Sequence, residues 1–238
     1  MPTQDMTADA AEIARFGALA ERWWNPSGPM RPLHRMNALR VAWITGRARL
    51  HFGTIRGLGL LDVGCGAGLA SEALAREGFS VLGIDASAPL IEAANSHAAA
   101  AGMPLLYRAV LPEALAAERA RFPVITALEV IEHVPDPAAF LRTLASLLEP
   151  GGVLFVSTIS RTIEALALAK IGAEYVLRLL PPGTHDWRRF ILPEEMDQLL
   201  AEAGFRLADL AGMTFDPWRQ SWRESRDLSV NYIAMGLG

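Results

Sequence analysis

Strands and helices alternate through the middle of the chain, and this alternation limits the possible folds more than any other feature of the sequence. Short apolar runs typical of buried strands recur at regular intervals, at 58–64, 80–85, 104–110, 123–130 and 153–159. Amphipathic runs typical of helices separate most of them, at 68–78, 88–102 and 137–152. This spacing predicts an α/β fold with a parallel, doubly wound sheet.

Further segments flank the alternating region on both sides. The sequence predicts an N-terminal helical extension over about 9–50 and an irregular insertion over about 161–190. The predicted flanking elements are helices at 9–24, 35–50 and 193–203 and closing strands at 205–213 and 229–238. Because we find no internal repeat and no low-complexity linker, we expect a single domain over 1–238.

The composition narrows the class of protein. With 51% hydrophobic and 20% charged residues, the 238-residue chain has the balance of a globular domain. Its net charge of −4 argues against nucleic acid as a partner, because phosphate binding needs a basic face. We therefore interpret the basic stretches 187–190 and 218–226 as solvated surface. A single cysteine, no secretory leader and no apolar run of about 18 residues together predict a cytoplasmic protein.

A glycine-rich loop joins the first strand of the alternating region to its helix. Gly64, Gly66 and Gly68 remove side chains there, so backbone N–H groups can approach a ligand at the carboxyl end of the strand. Asp85 ends the second strand, where a carboxylate can bind the two hydroxyls of a ribose. A dinucleotide fingerprint would place a small residue where Leu69 stands. The loop therefore favours S-adenosylmethionine, with a nicotinamide-dependent oxidoreductase as the alternative and a tight turn without a ligand as a second.

Three polar side chains lie where the fourth predicted strand gives way to a turn. Glu129, Glu132 and His133 are spaced i, i+3 and i+4, which on a helical turn places them on one face. Such a group can hold a divalent metal ion, for which Mg²⁺, Mn²⁺ and Zn²⁺ are candidates. His133 can instead act alone as a general base, or the three residues can be structural. We predict Glu129, Glu132 and His133 as the catalytic group and leave these alternatives open.

With these motifs in place, the chain resembles the class I S-adenosylmethionine-dependent methyltransferases and, within them, the ubiquinone-biosynthesis O-methyltransferases. The glycine loop is common to the whole class. The segments specific to the narrower family are 22–40, 172–191 and 230–233, and the matching segments, which also include 128–137, cover nearly the whole length. The resemblance implies two O-methylations of polyprenylated phenol or catechol intermediates on the route to ubiquinone. Methylation of another phenol or carbon acceptor, and a non-catalytic role in a quinone-biosynthesis enzyme assembly, are the alternatives.

The resemblance also implies a fold and a set of cofactor contacts. The fold would be a Rossmann-like, seven-stranded, mostly parallel sheet whose last strand runs antiparallel. The cofactor, S-adenosylmethionine, would contact Arg40, Gly64, Asp85 and Leu128, to which the glycine loop adds Gly66. Arg40 would bind the methionine carboxylate through its guanidinium group, and Leu128 would lie against the adenine.

The insertion has the pattern of an amphipathic helix. Its charged residues at 161, 164, 170, 174 and 178 fall close to helical spacing, and apolar residues such as Ile163, Leu166 and Ile171 can form the other face. A helix of this kind lies on an anionic membrane surface without crossing it. The alternative is a lid over the active site. We therefore expect either peripheral contact with the inner face of the membrane through 161–180 or a lid.

Overall fold

The computed structural model describes residues 9–28, 30–162, 189–216, 218–219 and 221–238. These residues form one sheet, whose eight strands are β1 (Gly59–Val63), β2 (Ser80–Asp85), β3 (Leu106–Ala109), β4 (Phe122–Leu128), β5 (Leu148–Ile159), β6 (Arg206–Asp216), β7 (Ser221–Ser225) and β8 (Asn231–Leu237). The strand order across the sheet is β3-β2-β1-β4-β5-β8-β6-β7. Strands β1 to β5 are parallel to one another, and β8 runs antiparallel between β5 and β6. The predicted α/β class and the mostly parallel sheet are confirmed.

Helices cover both faces of this sheet. They are α1 (Ala10–Gly17), α2 (Arg31–Phe52), α3 (Leu69–Glu77), α4 (Ala88–Ala100), α5 (Pro112–Ala117), α6 (Pro137–Leu147) and α7 (Pro193–Glu202). Neighbouring strand residues point to opposite faces: Leu60 packs in the core that includes α2 and α3, whereas Leu61 packs in the core that includes α6 and α7. Burial on both faces explains why the strands are continuous apolar runs.

The sheet has one strand more than the seven that the resemblance implied. The additional strand, β7, pairs antiparallel with β6 at the edge of the sheet and lies in the stretch that we had interpreted as solvated surface. The sequence Ser-Trp-Arg-Glu-Ser does not alternate between apolar and polar residues, and Trp222 is its one large apolar residue. An edge strand exposes much of its surface, so it does not need such an alternation. Arg47 of α2 holds this edge through Asp209 Oδ2 at 2.9 Å and Glu224 Oε1 at 2.7 Å.

Several element boundaries also differ from those predicted. The first helix ends at Gly17 and is followed by a separate 3₁₀ turn at Ala20–Arg22, so a single helix over 9–24 is wrong. Strand β5 begins directly after α6 at Leu148, and the Glu-Pro-Gly-Gly stretch belongs to this strand and not to the helix. Most of the predicted insertion, 163–188, lies outside the described residues. Within the described part of the chain, no helix combines the length and the apolar character needed to cross a membrane.

Candidate active site

A cavity of about 370 Å³ opens at the carboxyl edge of the parallel strands. Ligand pockets typically have volumes of about 300–1,000 Å³, and in doubly wound sheets they lie at this edge. The glycine loop, Asp85 and Leu128 form one side of the wall, and α1 contributes Glu12 and Phe16. All the predicted site residues except Arg40 line this cavity: Gly64, Gly66, Asp85, Leu128, Glu129, Glu132 and His133.

The glycine loop has a conformation that other residues adopt only with strain. Gly64 and Gly66 have φ angles of +67° and +56°. A Cβ atom at Gly64 would lie 2.4 Å from a methyl carbon of Val130, and one at Gly66 would lie 2.4 Å from the ring of Trp23. The backbone of the loop is therefore available to a ligand because no side chain fits there.

Asp85 fastens the loop to the second strand. Its Oδ2 accepts the N–H of Gly66 at 3.0 Å, and its Oδ1 accepts the N–H of Ser87 at 2.8 Å. Burial raises the pKa of Asp85, while these two backbone hydrogen bonds partly offset the shift. The carboxylate is thus held in place at the cavity wall, where ribose hydroxyls can share it.

Two further groups lie beneath the loop. Cys65 is buried and points away from solvent, and burial raises the pKa of its thiol well above the usual value. Asp62 of β1 is also buried, and it accepts hydrogen bonds from the hydroxyls of Ser71 at 2.6 Å and Thr126 at 2.7 Å. Burial raises the pKa of Asp62 to about 6. Asp62 joins β1, β4 and α3 under the site but does not line the cavity.

Glu129 does not share a helical face with its two partners. Its φ angle is +56°, and the 3₁₀ turn begins only at Ile131. A positive φ at a residue other than glycine is uncommon and is often found at functional sites. Glu129 Oε1 accepts the hydroxyl of Ser157 at 2.8 Å, and it lies 2.6 Å from Nη2 of Arg40. The expected helical turn is wrong, although all three side chains still reach the same cavity.

Glu132 and His133 each have a separate partner. The buried carboxylate of Glu132 accepts the hydroxyl of Thr158 at 2.9 Å, and burial together with the nearby Glu129 raises its pKa to about 7. His133 Nδ1 lies 2.9 Å from Glu12 Oε2 of α1. Burial favours the neutral form of His133, but the hydrogen bond to Glu12 and the charges of Glu132 and Glu12 outweigh it and raise its pKa.

The placement of Glu129, Glu132 and His133 bears on whether they could bind a metal ion together. Because each side chain is engaged separately, no group of three or more His, Cys, Asp or Glu side chains among the described residues is arranged to hold one. As placed, Glu129, Glu132 and His133 therefore do not form a metal site, and the metal requirement stays a prediction. We derive no chemical step through a metal.

Arg40 lies behind Glu129 in the middle of α2. It is 4% exposed, and its Nε has no hydrogen-bond partner within the described part of the chain. The 2.6 Å contact of its Nη2 with Glu129 is an ion pair whose angles are not those of a hydrogen bond. A buried guanidinium whose Nε lacks a partner in this part of the chain fits a ligand that carries a carboxylate.

The structure adds residues to the site that the sequence reasoning missed. Glu12 and Trp23 come from the N-terminal segment, and Trp222 and Asn231 come from β7 and β8. Asn231 is 8% exposed, and its Oδ1 has no hydrogen-bond partner among the described residues. These residues reach the cavity through the order of the strands and the packing of α1. The local signals are the segments 22–40, which contains Trp23, and 230–233, which contains Asn231, and both enter only through the resemblance.

Comparison with known proteins agrees with this geometry. The sequence profile of a methyltransferase domain family matches residues 35–210. A ubiquinone biosynthesis O-methyltransferase from Parvibaculum lavamentivorans is 48% identical over 96% of this chain and 93% of its own length. Another from Caulobacter vibrioides is 49% identical over 94% and 92%.

Solved structures show the same fold at low sequence identity. The structure of magnesium protoporphyrin IX methyltransferase from Synechocystis PCC 6803 with bound S-adenosylmethionine has a TM-score of 0.64 and 19% identity, and it covers 98% of this chain and 99% of its own. The two relatives align with 94–96% of this chain at 48–49% identity, and this similarity shows the family. The chain belongs to the ubiquinone biosynthesis O-methyltransferase family.

Proposed function

We propose that this chain transfers the methyl group of S-adenosylmethionine to a phenolic hydroxyl of polyprenylated intermediates in ubiquinone biosynthesis, and that it carries out both O-methylations. The observation that carries the proposal is one cavity that joins the glycine loop and Asp85 to Glu129, Glu132 and His133. The near full-length relatives that bear the name of this activity support it.

The residues of the site fit the proposed cofactor. The glycine loop forms a cradle in which a Cβ atom would collide with Val130 or Trp23, and Asp85 can accept the ribose hydroxyls. Arg40 lies behind Glu129, and its buried Nε, which has no hydrogen-bond partner among the described residues, would bind the methionine carboxylate. Leu128 lines the cavity where the adenine would lie. When bound, S-adenosylmethionine supplies an electrophilic methyl group. The protein has to place the acceptor oxygen against that group and exclude water.

The acceptor must also lose a proton. A phenol has a pKa of about 10, so only about a thousandth of it is ionised at pH 7, which adds roughly 4 kcal/mol to the barrier. His133 lines the cavity beside Glu129 and Glu132 and can take this proton as a general base. The apolar side chains of Phe16, Met36 and Trp222 suit a polyprenylated acceptor.

Two variants and two ligands test the cofactor assignment. Isothermal titration should show binding of S-adenosylhomocysteine and none of NAD, since Leu69 occupies the third position of the dinucleotide fingerprint. Asp85→Asn should weaken S-adenosylhomocysteine binding by roughly 1.5–3 kcal/mol, because a charge-assisted hydrogen bond to the ribose is lost. Asp197→Asn, an exposed change on α7, is the matched control. An unchanged dissociation constant in Asp85→Asn contradicts the assignment.

A methyl-transfer assay tests the reaction itself. Radiolabelled S-adenosylmethionine should methylate a panel of catechols, and repeating the assay in excess EDTA followed by Mg²⁺, Mn²⁺ or Zn²⁺ tests the metal requirement. Loss of turnover with chelator and its return with one ion would support the metal requirement. Full turnover in EDTA would leave His133 as the base. No methylation of any catechol contradicts the proposed reaction.

The proposal extends to where the chain meets its substrate. A prenylated acceptor dissolves in lipid, so we include contact of 161–180 with an anionic membrane surface, and association with other quinone-biosynthesis enzymes. Flotation with anionic vesicles tests the membrane contact. Deletion of 163–180 should abolish flotation, and vesicle binding that survives this deletion contradicts it.

A further inference from the structure

Helix α1 packs directly over the chemistry-bearing end of the cavity. Two of its residues, Glu12 and Phe16, contact the imidazole of His133 from the same face of the helix, one turn apart. Asp9, just before the helix, reaches Arg189 at 3.5 Å without touching His133. The contact of Asp9 with Arg189 and the contacts of Glu12 and Phe16 with His133 are therefore separate, and only the latter reach the imidazole.

The imidazole of His133 is fixed on three sides. Its Nδ1 lies 2.9 Å from Glu12 Oε2, and its ring meets the ring of Phe16 edge to face, with centroids 5.1 Å apart and planes at 82°. The backbone N–H of His133 donates to the carbonyl of Val130 at 2.8 Å, which holds the turn that carries the ring. Glu12 and Phe16, which lie outside the segment 127–137, thus set the ring orientation, while Val130 inside it holds the turn.

The contact with Glu12 distinguishes the two nitrogens of the ring. A carboxylate only accepts, so Nδ1 must be the nitrogen that carries hydrogen towards Glu12. The other ring nitrogen, Nε2, belongs to a side chain that lines the cavity. In a neutral imidazole the hydrogen on Nδ1 leaves the lone pair on Nε2.

We propose that Glu12 is a positioning residue for methyl transfer: it holds the Nδ1–H of His133 and so keeps Nε2 as the proton acceptor that faces the substrate. This inference rests on the proposed function and deepens it. A carboxylate that orients a histidine through its far nitrogen is the arrangement that hydrolytic triads and metal-bound histidines also use. Here the carboxylate comes from the N-terminal helix and not from the strand ends.

The step that Glu12 would support can be written in full. The phenol O–H gives its proton to Nε2, and the phenol oxygen forms a bond to the methyl carbon. The carbon–sulfur bond breaks, and its electron pair stays on sulfur. The products are the aryl methyl ether and S-adenosylhomocysteine, and the proton on Nε2 is released to water before the next turnover.

Docking α1 onto the domain is the competing role for Glu12, and one control separates the two roles. Arg189→Ala removes the contact of Asp9 with Arg189 and leaves the ring of His133 untouched. Glu12→Gln keeps the size of the side chain and an acceptor oxygen but removes the charge, and Glu12→Ala removes the acceptor. A docking role affects Arg189→Ala and Glu12→Ala alike, whereas a positioning role affects only the Glu12 variants.

Kinetics form the first test. Removing an outer partner of this kind typically lowers activity 10- to 100-fold. We expect Glu12→Ala to lower kcat in that range, Glu12→Gln to lower it less, and both to leave the KM for the catechol and the Kd for S-adenosylhomocysteine within about twofold. A kcat in Glu12→Ala that is no lower than in Arg189→Ala overturns the proposal.

The tautomer of His133 is the second test, and it does not depend on turnover. Nitrogen-15 NMR of the imidazoles, with the His133 signals assigned through His133→Gln, should show hydrogen on Nδ1 in the wild-type protein when the ring is neutral. In Glu12→Ala the hydrogen should move to Nε2 in a measurable fraction of molecules. Hydrogen on Nε2 in the wild-type protein overturns the proposal even if methyl transfer is confirmed. The expected tautomer in a protein that methylates no catechol would place the failure with the proposed function.

Discussion

Gly66 and Gly102 have nearly the same backbone conformation but different surroundings. Their φ angles are +56° and +64°, and only glycine adopts this region without strain. A Cβ atom at Gly66 would lie 2.4 Å from the ring of Trp23, whereas a Cβ atom at Gly102 would have nothing within 4 Å. Alanine substitutions at these two glycines therefore separate the effect of backbone strain from the effect of a Cβ atom that collides with the cavity wall.

We expect Gly66→Ala to lower the affinity for S-adenosylhomocysteine at least tenfold, and Gly102→Ala to leave it unchanged. Both variants should lose about 1–2 kcal/mol of stability from a Cβ in the left-handed region, and Gly66→Ala should lose more because its Cβ also collides with Trp23. Only Gly66→Ala displaces Trp23 or the loop. Titration calorimetry measures the affinity and urea unfolding the stability. Equal affinities in the two variants would show that the cradle does not contact the ligand.

At the scale of elements, the sequence predicts those features that depend on residues close together in the chain. The parallel strands and their helices follow from apolar periodicity, and the positions of Gly64 and Asp85 at strand ends follow from the strands. Glu129 was misplaced because its left-handed φ comes from its contacts with Arg40 and Ser157, which periodicity does not contain. Glu12 was missed because its contact with His133 exists only after α1 packs on the sheet.

The additional strand β7 contributes Trp222 to the cavity, on the side formed with β8. Its ring also packs on Phe215, the residue opposite it on β6, with centroids 5.5 Å apart. Trp218 lies on the same β6–β7 hairpin but is 94% exposed. The two tryptophans thus share a local segment, and only one of them can contact a substrate inside the cavity.

We expect Trp222→Ala to raise the KM for a prenylated catechol about tenfold, since a lost apolar side-chain contact is worth about 1.5 kcal/mol or more. The Kd for S-adenosylhomocysteine should not change, because Trp222 lies away from the glycine loop. Trp218→Ala is the control and should change neither constant. A KM that rises equally for a catechol without a prenyl tail would show that Trp222 does not contact the tail.

For the whole molecule, the buried carboxyl of Asp62 links stability to pH. Its pKa is about 6 in the folded protein and 3.8 when unperturbed, so between these values the folded state binds more protons than the unfolded state. Stability therefore falls as pH rises through this interval. The favourable contribution of the protonated form is complete below about pH 4 and is lost once pH exceeds about 6.

We expect Asp62→Asn to remove this dependence, since an amide keeps partners for Ser71 and Thr126 without a charge. Relative to the wild-type protein, the free energy of unfolding of the variant should rise by about 3 kcal/mol between pH 4 and pH 7. Urea unfolding at several pH values measures it, with Asp197→Asn as the control. Parallel curves for wild type and Asp62→Asn would contradict the prediction.

Because Cys65 is buried in the glycine loop, chemical modification of its thiol can report on opening of the loop. It is the chain's single cysteine, so an alkylating reagent can report on that one position. In the closed loop its thiol is neither accessible nor readily ionised. The rate of alkylation therefore reports how often the loop opens. A ligand that bridges Gly66 and Asp85 would make these openings rarer. The slowing of alkylation with rising ligand concentration would then give a dissociation constant for any candidate cofactor, without a radiolabel and without turnover.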